Sequence, residues 1–163
     1  MSTLHAVILA AGGGTRMKSE TPKVLHPICG RPMIRYAIEQ AMSAGVKQPV
    51  VILGGDTAED IAPHLPKDVK VAVQAKPQGT GDAVLAAKKI LGNFRGDLLV
   101  LYGDAPLVRR TTIQRLVDSH HKNSATVTLL STHVADPTGY GRIVRDPAGP
   151  ILGVVEESEA NTA

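Results

Sequence analysis

Residues 6–17 read AVILAAGGGTRM, and this stretch decides the fold. Four apolar residues, Ala6, Val7, Ile8 and Leu9, run without a polar interruption toward three consecutive glycines. A run this short and this apolar marks a parallel strand covered on both faces, because a strand with one wet face alternates. Three more runs share that character: 50–53 (VVIL), 69–73 (VKVAV) and 98–101 (LLVL). Between them, apolar residues recur at helical spacing. Ile34, Ala37, Ile38, Ala41 and Met42 fall at i, i+3, i+4, i+7 and i+8, with Gly45 as the stop. Ala83, Ala86, Ala87, Ile90 and Leu91 repeat the pattern as far as Gly92. Ile113, Leu116, Val117 and His120 form a third such face. Strands alternating with helices imply βαβ crossovers, and hence an α/β fold with an open, mostly parallel sheet.

The 163 residues suffice for one domain that buries roughly 70% of its unfolded surface without a staple. With 43% hydrophobic and 20% charged residues, a packed core is expected and not a disordered segment. Lys plus Arg number 18 against 15 Asp plus Glu, an excess of 3. That excess is dispersed, and a nucleic-acid surface needs a patch. The absence of Trp, with three Tyr and one Phe, also argues against a stacking platform for single strands. Cys29 is the only cysteine, which excludes an internal disulfide and a multi-Cys zinc site. It reads as a small buried residue. No apolar run approaches a membrane span, and residues 7–11 lack a basic leader. A cytoplasmic protein without nucleic-acid or membrane partners is expected.

Beyond Ala125 the pattern changes. Residues 126–130 (TVTLL) read as another strand. Residues 142–145 and 151–155 flank DPAG (146–149), a hairpin turn. The polar tail, 156–163, is expected to fray.

In open α/β sheets ligands sit beyond the carboxyl ends of the strands. After the first strand, Gly12, Gly13 and Gly14 let main-chain amides wrap an anion, and Arg16 and Lys23 add positive charge suited to phosphate. The Walker string is absent, and Met17 stands where the dinucleotide fingerprint needs glycine. A plain glycine-rich turn is the alternative. After the third strand come Gln74, whose amide can read a base edge, and Gly79, Thr80 and Gly81, opening a helix. A loop with Thr80 as N-cap accounts for them equally well. After the fourth strand, Asp104 suits a hard cation such as magnesium; the alternative is a cap for a helix starting near Thr111. Gly139, Tyr140 and Gly141 set backbone against a sugar or simply form a turn. His120 and His121 read as a solvated helix end with no carboxylate or cysteine at ligand spacing.

Together, LAAGGGTRM (9–17), Ser19 and PKVL (22–25) resemble the signature of the sugar-phosphate nucleotidyltransferases. The further strings QA (74–75), GTG (79–81), LYGD (101–104), DPTGYGR (136–142) and GVVEE (153–157) run in family order. The full set resembles the N-terminal uridyltransferase domain of the bacterial bifunctional N-acetylglucosamine-1-phosphate uridyltransferases/glucosamine-1-phosphate acetyltransferases.

That resemblance implies a Rossmann-like open sheet of the nucleotide-diphospho-sugar transferase type, with helices on both faces. It implies that UTP and N-acetylglucosamine 1-phosphate become UDP-N-acetylglucosamine and pyrophosphate, with Mg2+ as cofactor, for peptidoglycan and lipopolysaccharide synthesis. By position, Leu9, Ala10, Ala11 and Gly12 contact the nucleotide, and Arg16 and Lys23 act on its phosphates. Gln74, Gly79 and Thr80 meet the uridine end. Tyr102, Gly103 and Asp104 lie beside nucleotide and sugar, with Asp104 on the metal. Gly141 and Glu156 meet the amino sugar. Arg16, Lys23 and Asp104 are the catalytic set. Ser158 stands where Lys is common, and Pro77 is atypical. Relatives continue with more sheet and a left-handed β-helix acetyltransferase domain, and are homotrimeric. Residues 1–163 are therefore expected to be an incomplete uridyltransferase domain, truncated at the C-terminus, with little turnover and no acetyltransferase activity. Another sugar-1-phosphate nucleotidyltransferase, or a non-catalytic nucleotide-binding module, is the alternative.

Overall fold

The computed structural model describes residues 3–12, 14, 17–76 and 79–159. The chain divides into two compact units, Met1–Thr128 and Leu129–Ala163. In the first, β1 (Leu4–Ala10) leads through a glycine loop to a short hairpin, β2 (Pro27–Ile28) and β3 (Arg31–Pro32). Helix α1 (Met33–Ser43) follows, then β4 (Val50–Gly54), α2 (Ala58–Ile61) and β5 (Lys70–Gln74). Two short helices, α3 (Thr80–Ala86) and α4 (Lys88–Leu91), precede β6 (Asp97–Tyr102) and α5 (Arg110–Lys122). Among the described residues β5, β4, β1 and β6 form one sheet in that order, and every neighbouring pair is parallel.

Burial follows from the two-residue period of a strand. On β1, Ala6, Ile8 and Ala10 face one layer with Val51 and Leu53 of β4 and Leu99 and Leu101 of β6. Helix α1 covers that face through Ile34, Ala37, Ile38 and Ala41, and α5 adds Ile113. The alternate residues, Val7, Val50, Ile52 and Ala72, pack on Ala83 and Ala87 on the other side. Helices thus cover both faces of β1 and β4, but β5 and β6 depart from the expected cover on both faces: Val71 and Val73 of β5 and Val100 and Tyr102 of β6 are exposed.

Four other expectations are corrected. The helical pattern from Ala83 to Leu91 is two short helices, because around Ala87 the bonding tightens: the Ala87 amide reaches Val84 at 3.1 Å and the Ile90 amide reaches Ala87 at 3.0 Å. The apolar side still faces the sheet. Residues 126–130 form no strand; Val127 is 72% exposed and none of the five has a ladder partner among the described residues. Cys29 is exposed, because it and Gly30 form the two-residue turn between β2 and β3, where both take positive φ (49° and 75°). His120 and His121 do have a carboxylate: Asp97, at the start of β6, lies 3.5 Å from His120 Nε2 and 2.8 Å from His121 Nε2.

In the second unit, β7 (Arg142–Arg145) and β8 (Ile151–Val155) pair antiparallel. The Asp146 side chain accepts from the Ala148 amide, and the Gly149 amide returns to the Asp146 carbonyl, closing the expected turn. Upstream, the Asp136 carboxylate accepts from both the hydroxyl and the amide of Thr138, at 2.6 and 3.0 Å. These bonds hold its carboxyl below the ordinary value, the hydroxyl most strongly, with help from Arg142.

Two outcomes follow from these contacts. Ile8 is fully buried at the centre of the sheet, so Ile8→Ala removes packing on a site that cannot collapse. Urea unfolding should show a loss of about 2–5 kcal/mol. Thr138→Val deletes the hydroxyl donor, so an NMR titration should show the Asp136 carboxyl rising toward 3.8. A depressed carboxyl contributes stability above its unfolded value and loses it as pH falls through the folded one; Thr138→Val narrows that acid window.

Candidate active site

All four parallel strands end at one edge, and the loops leaving β1, β5 and β6 meet there. Beyond β1 the chain passes through Ala11 and Gly12 to Gly14, whose φ is +60°. A Cβ on Gly14 would lie 2.7 Å from the Cβ of Lys23, so only glycine lets the loop pass over the stem of that lysine. Lys23 itself stands on a single helical turn, Lys23–Leu25. Val24, 4% exposed, plugs that turn into the core, while the Lys23 ammonium stays outside.

Beyond β6, the Gly103 amide donates to the Leu9 carbonyl at 2.8 Å, and β6 thereby stays clamped to β1 as it turns. The next residue, Asp104, receives the Lys23 ammonium at 2.6 Å, across 81 residues of sequence. The pair is partly exposed, with side-chain exposures of 33% and 39%, so solvent screens it and it contributes little to stability. Asp104 caps no helix: α5 starts at Arg110 with Arg109 at its N-cap and no side-chain cap bond. The loop after Asp104 is tied down by Gln40 of α1, a buried amide that donates to the carbonyls of Val108 (2.6 Å) and Pro106 (3.3 Å).

Beyond β5, the buried Gln74 donates from Nε2 to Asp82 at 2.7 Å and to the Gly79 carbonyl at 3.4 Å. Gly79, at φ +100°, and not Thr80, is the N-cap of α3, and no side chain caps that helix.

Between these loops lies a cavity of about 390 Å³. Its walls include Leu9, Ala10, Ala11 and Gly12 from the first loop, with Lys23 beside them. Gln74, Gly79 and Thr80 line it from the second loop, and Tyr102 and Asp104 from the third. Gly103 is held against β1 and does not line it. Arg16 lies outside the described residues. Gly14, one of the glycines expected to wrap an anion, also borders the cavity, and Met17, Val24 and Ala83 do so without having been singled out as site residues. Gly14 and Met17 carry a signal in the glycine-rich stretch, whereas Val24 and Ala83 look like any core residue. Gly141 and Glu156 belong to the second unit and are neighbours there: a Cβ on Gly141 would lie 3.6 Å from a Glu156 carboxylate oxygen. The register that pairs Arg142 with Val155 brings them together.

Among the described residues, the cavity combines close main-chain approach, one ammonium and one carboxylate, with an amide and an aromatic ring at its sides. The main chain and ammonium suit a polyanion, and the carboxylate suits a hard cation carried by that anion. No helix among the described residues is long and apolar enough to cross a membrane.

Known proteins resemble this chain over nearly its whole length. The nucleotidyl transferase family model matches residues 5–162. "Bifunctional protein GlmU" of Syntrophotalea carbinolica is 48% identical over 160 residues, 98% of this chain and 34% of that protein. The protein of the same name from Pelotomaculum thermopropionicum is 46% identical over 160 residues, 98% of this chain and 35% of the relative. The one from Clostridioides difficile is 45% identical over 157 residues, covering 96% and 34% respectively. The chain thus spans about a third of the length of the curated relatives it matches. Among solved structures, Rv0371c from Mycobacterium tuberculosis superposes with a TM-score of 0.62 at 25% identity, over 72% of this chain and 60% of that one. With the family match running through both units and the cavity at the carboxyl edge of a parallel sheet, this chain belongs to the nucleotidyl transferase family.

Proposed function

We propose that this chain is the uridyltransferase portion of an enzyme that joins UTP and N-acetylglucosamine 1-phosphate into UDP-N-acetylglucosamine, releasing pyrophosphate. The observation that carries the reading is the cavity in which Leu9 to Gly12, Lys23, Gln74, Gly79, Thr80, Tyr102 and Asp104 converge from three loops. Membership of the nucleotidyl transferase family and identity of 45–48% to proteins named bifunctional GlmU support it. The product feeds peptidoglycan and lipopolysaccharide synthesis.

In this reading the main chain of Leu9 to Gly12 lies along the nucleotide and Lys23 meets its phosphates, with Arg16 as a second cation. Gln74, Gly79 and Thr80 hold the uridine end. Tyr102, Gly103 and Asp104 flank nucleotide and sugar, and Gly141 and Glu156 meet the amino sugar. A phosphate oxygen of the sugar phosphate attacks the α-phosphorus of UTP. The new P–O bond forms as the bond to the β-phosphate breaks, and pyrophosphate leaves with the electron pair. The attacking oxygen is already deprotonated, so no general base is required. What opposes the reaction is repulsion between two anions, and Lys23 works against it by fixed positive charge in a partly enclosed site.

Asp104 fits magnesium by donor type, since magnesium takes hard oxygen ligands, typically one or two carboxylates with phosphates and water. Among the described residues no three His, Cys, Asp or Glu side chains converge on a metal position, so substrate phosphates would complete the shell. Once bound, magnesium would neutralise phosphate charge and align the triphosphate. Lys23 and Asp104 pair at 2.6 Å.

Calorimetry checks the reading. UTP with magnesium should bind one to one and weaken as salt rises. Lys23→Ala should cost roughly tenfold or more in UTP affinity, the worth of a charge-assisted phosphate contact. Asp104→Asn frees Lys23 and removes a repelling carboxylate, so metal-free UTP binding should hold or strengthen while its enhancement by magnesium is lost. Absence of UTP binding in the unaltered chain would refute the proposal.

A further inference from the structure

Gln74 ends β5, is only 5% exposed, and still borders the cavity. Its Nε2 donates to Oδ2 of Asp82 at 2.7 Å and, at 3.4 Å, to the carbonyl of Gly79. A side-chain amide has two N–H donors, and these two bonds use both. Both partners are acceptors only. Turning the amide over would set its oxygen against a carboxylate and a carbonyl, trading two hydrogen bonds for repulsion in a buried place. The amide is therefore locked, and what it can offer a ligand is the acceptor Oε1.

We infer that Asp82 is a positioning residue that sets base selectivity through Gln74. The inference rests on the reading that the cavity takes a uridine nucleotide. An acceptor rewards a base edge that carries an imide N–H, as uracil does at N3. Cytosine presents a lone pair at N3, so acceptor faces acceptor and the buried amide oxygen goes unpaired. A free glutamine would not discriminate, because its amide could rotate to give either group. Asp82 removes that freedom. Thymine has the same N–H, so the device separates uracil from cytosine and not from thymine. Asp82 lies in the first turn of α3, where a carboxylate also favours the helix, so the test must separate charge from hydrogen bonding.

Affinities of UTP and CTP, measured by calorimetry on the whole chain, make that separation. Asp82→Ala frees the amide, and the UTP-to-CTP ratio should fall about tenfold, the worth of one buried hydrogen bond mismatch. Asp82→Asn replaces an acceptor-only group by an amide that can itself turn over and donate to Gln74, so the ratio should fall there too. Asp82→Glu keeps the charge but moves the acceptor by one methylene; the ratio should fall, which keeps the test open if the alanine variant unfolds. A ratio unchanged in Asp82→Ala and Asp82→Glu while UTP still binds overturns the role of Asp82 and leaves the proposed function standing. No UTP binding by the unaltered chain overturns both.

Discussion

Everything in the first unit follows from the parallel pairing of β1 with a neighbour on each side. Its backbone bonds β4 along one edge and β6 along the other, so β1 is satisfied only as an inner strand. Parallel neighbours must be reached by a crossover, and the crossovers lay helices on both faces. Four strands that all run the same way also finish at the same edge. The loops from β1, β5 and β6 are thereby gathered although they are far apart in sequence, and the cavity is what lies between them.

The site is built by making the scaffold rigid where the loops begin. Val24 anchors the turn that carries Lys23, the Gly103 amide ties the end of β6 to Leu9, and Gln40 holds the loop after Asp104 from the flank of α1. Their effect is to bring an ammonium and a carboxylate to 2.6 Å at the mouth of the cavity without burying either. Both stay partly exposed, so solvent screens the pair and it contributes little to stability.

Much of this was legible one residue at a time. The apolar runs located β1, β4, β5 and β6 to within two residues, although only β1 and β4 are buried on both faces. Helices α1 and α5 were legible from their periodicity. The misreadings share one cause, which is that each depended on a neighbour remote in sequence or on local backbone bonding that side-chain pattern does not encode. Cys29 is apolar enough for a core but sits in a turn that no core reaches. Residues 126–130 have strand-forming side chains and no strand beside them among the described residues. The bonding around Ala87 shortens while its apolar face continues unbroken.

For the site, composition and motif named the groups: glycines for close approach, Lys23 for an anion, Asp104 for a cation, Gln74 for a base edge. Those identities are fixed by side-chain chemistry and are present in any conformation. Which groups meet was settled only by the folded chain. The Lys23–Asp104 contact spans 81 residues. The neighbouring positions of Gly141 and Glu156 come from strand register. The bond between Gln74 and Asp82 joins the end of β5 to the first turn of α3, eight positions on. A sequence specifies which donors and acceptors exist; only the three-dimensional path decides which of them are spent on each other and which remain for a ligand.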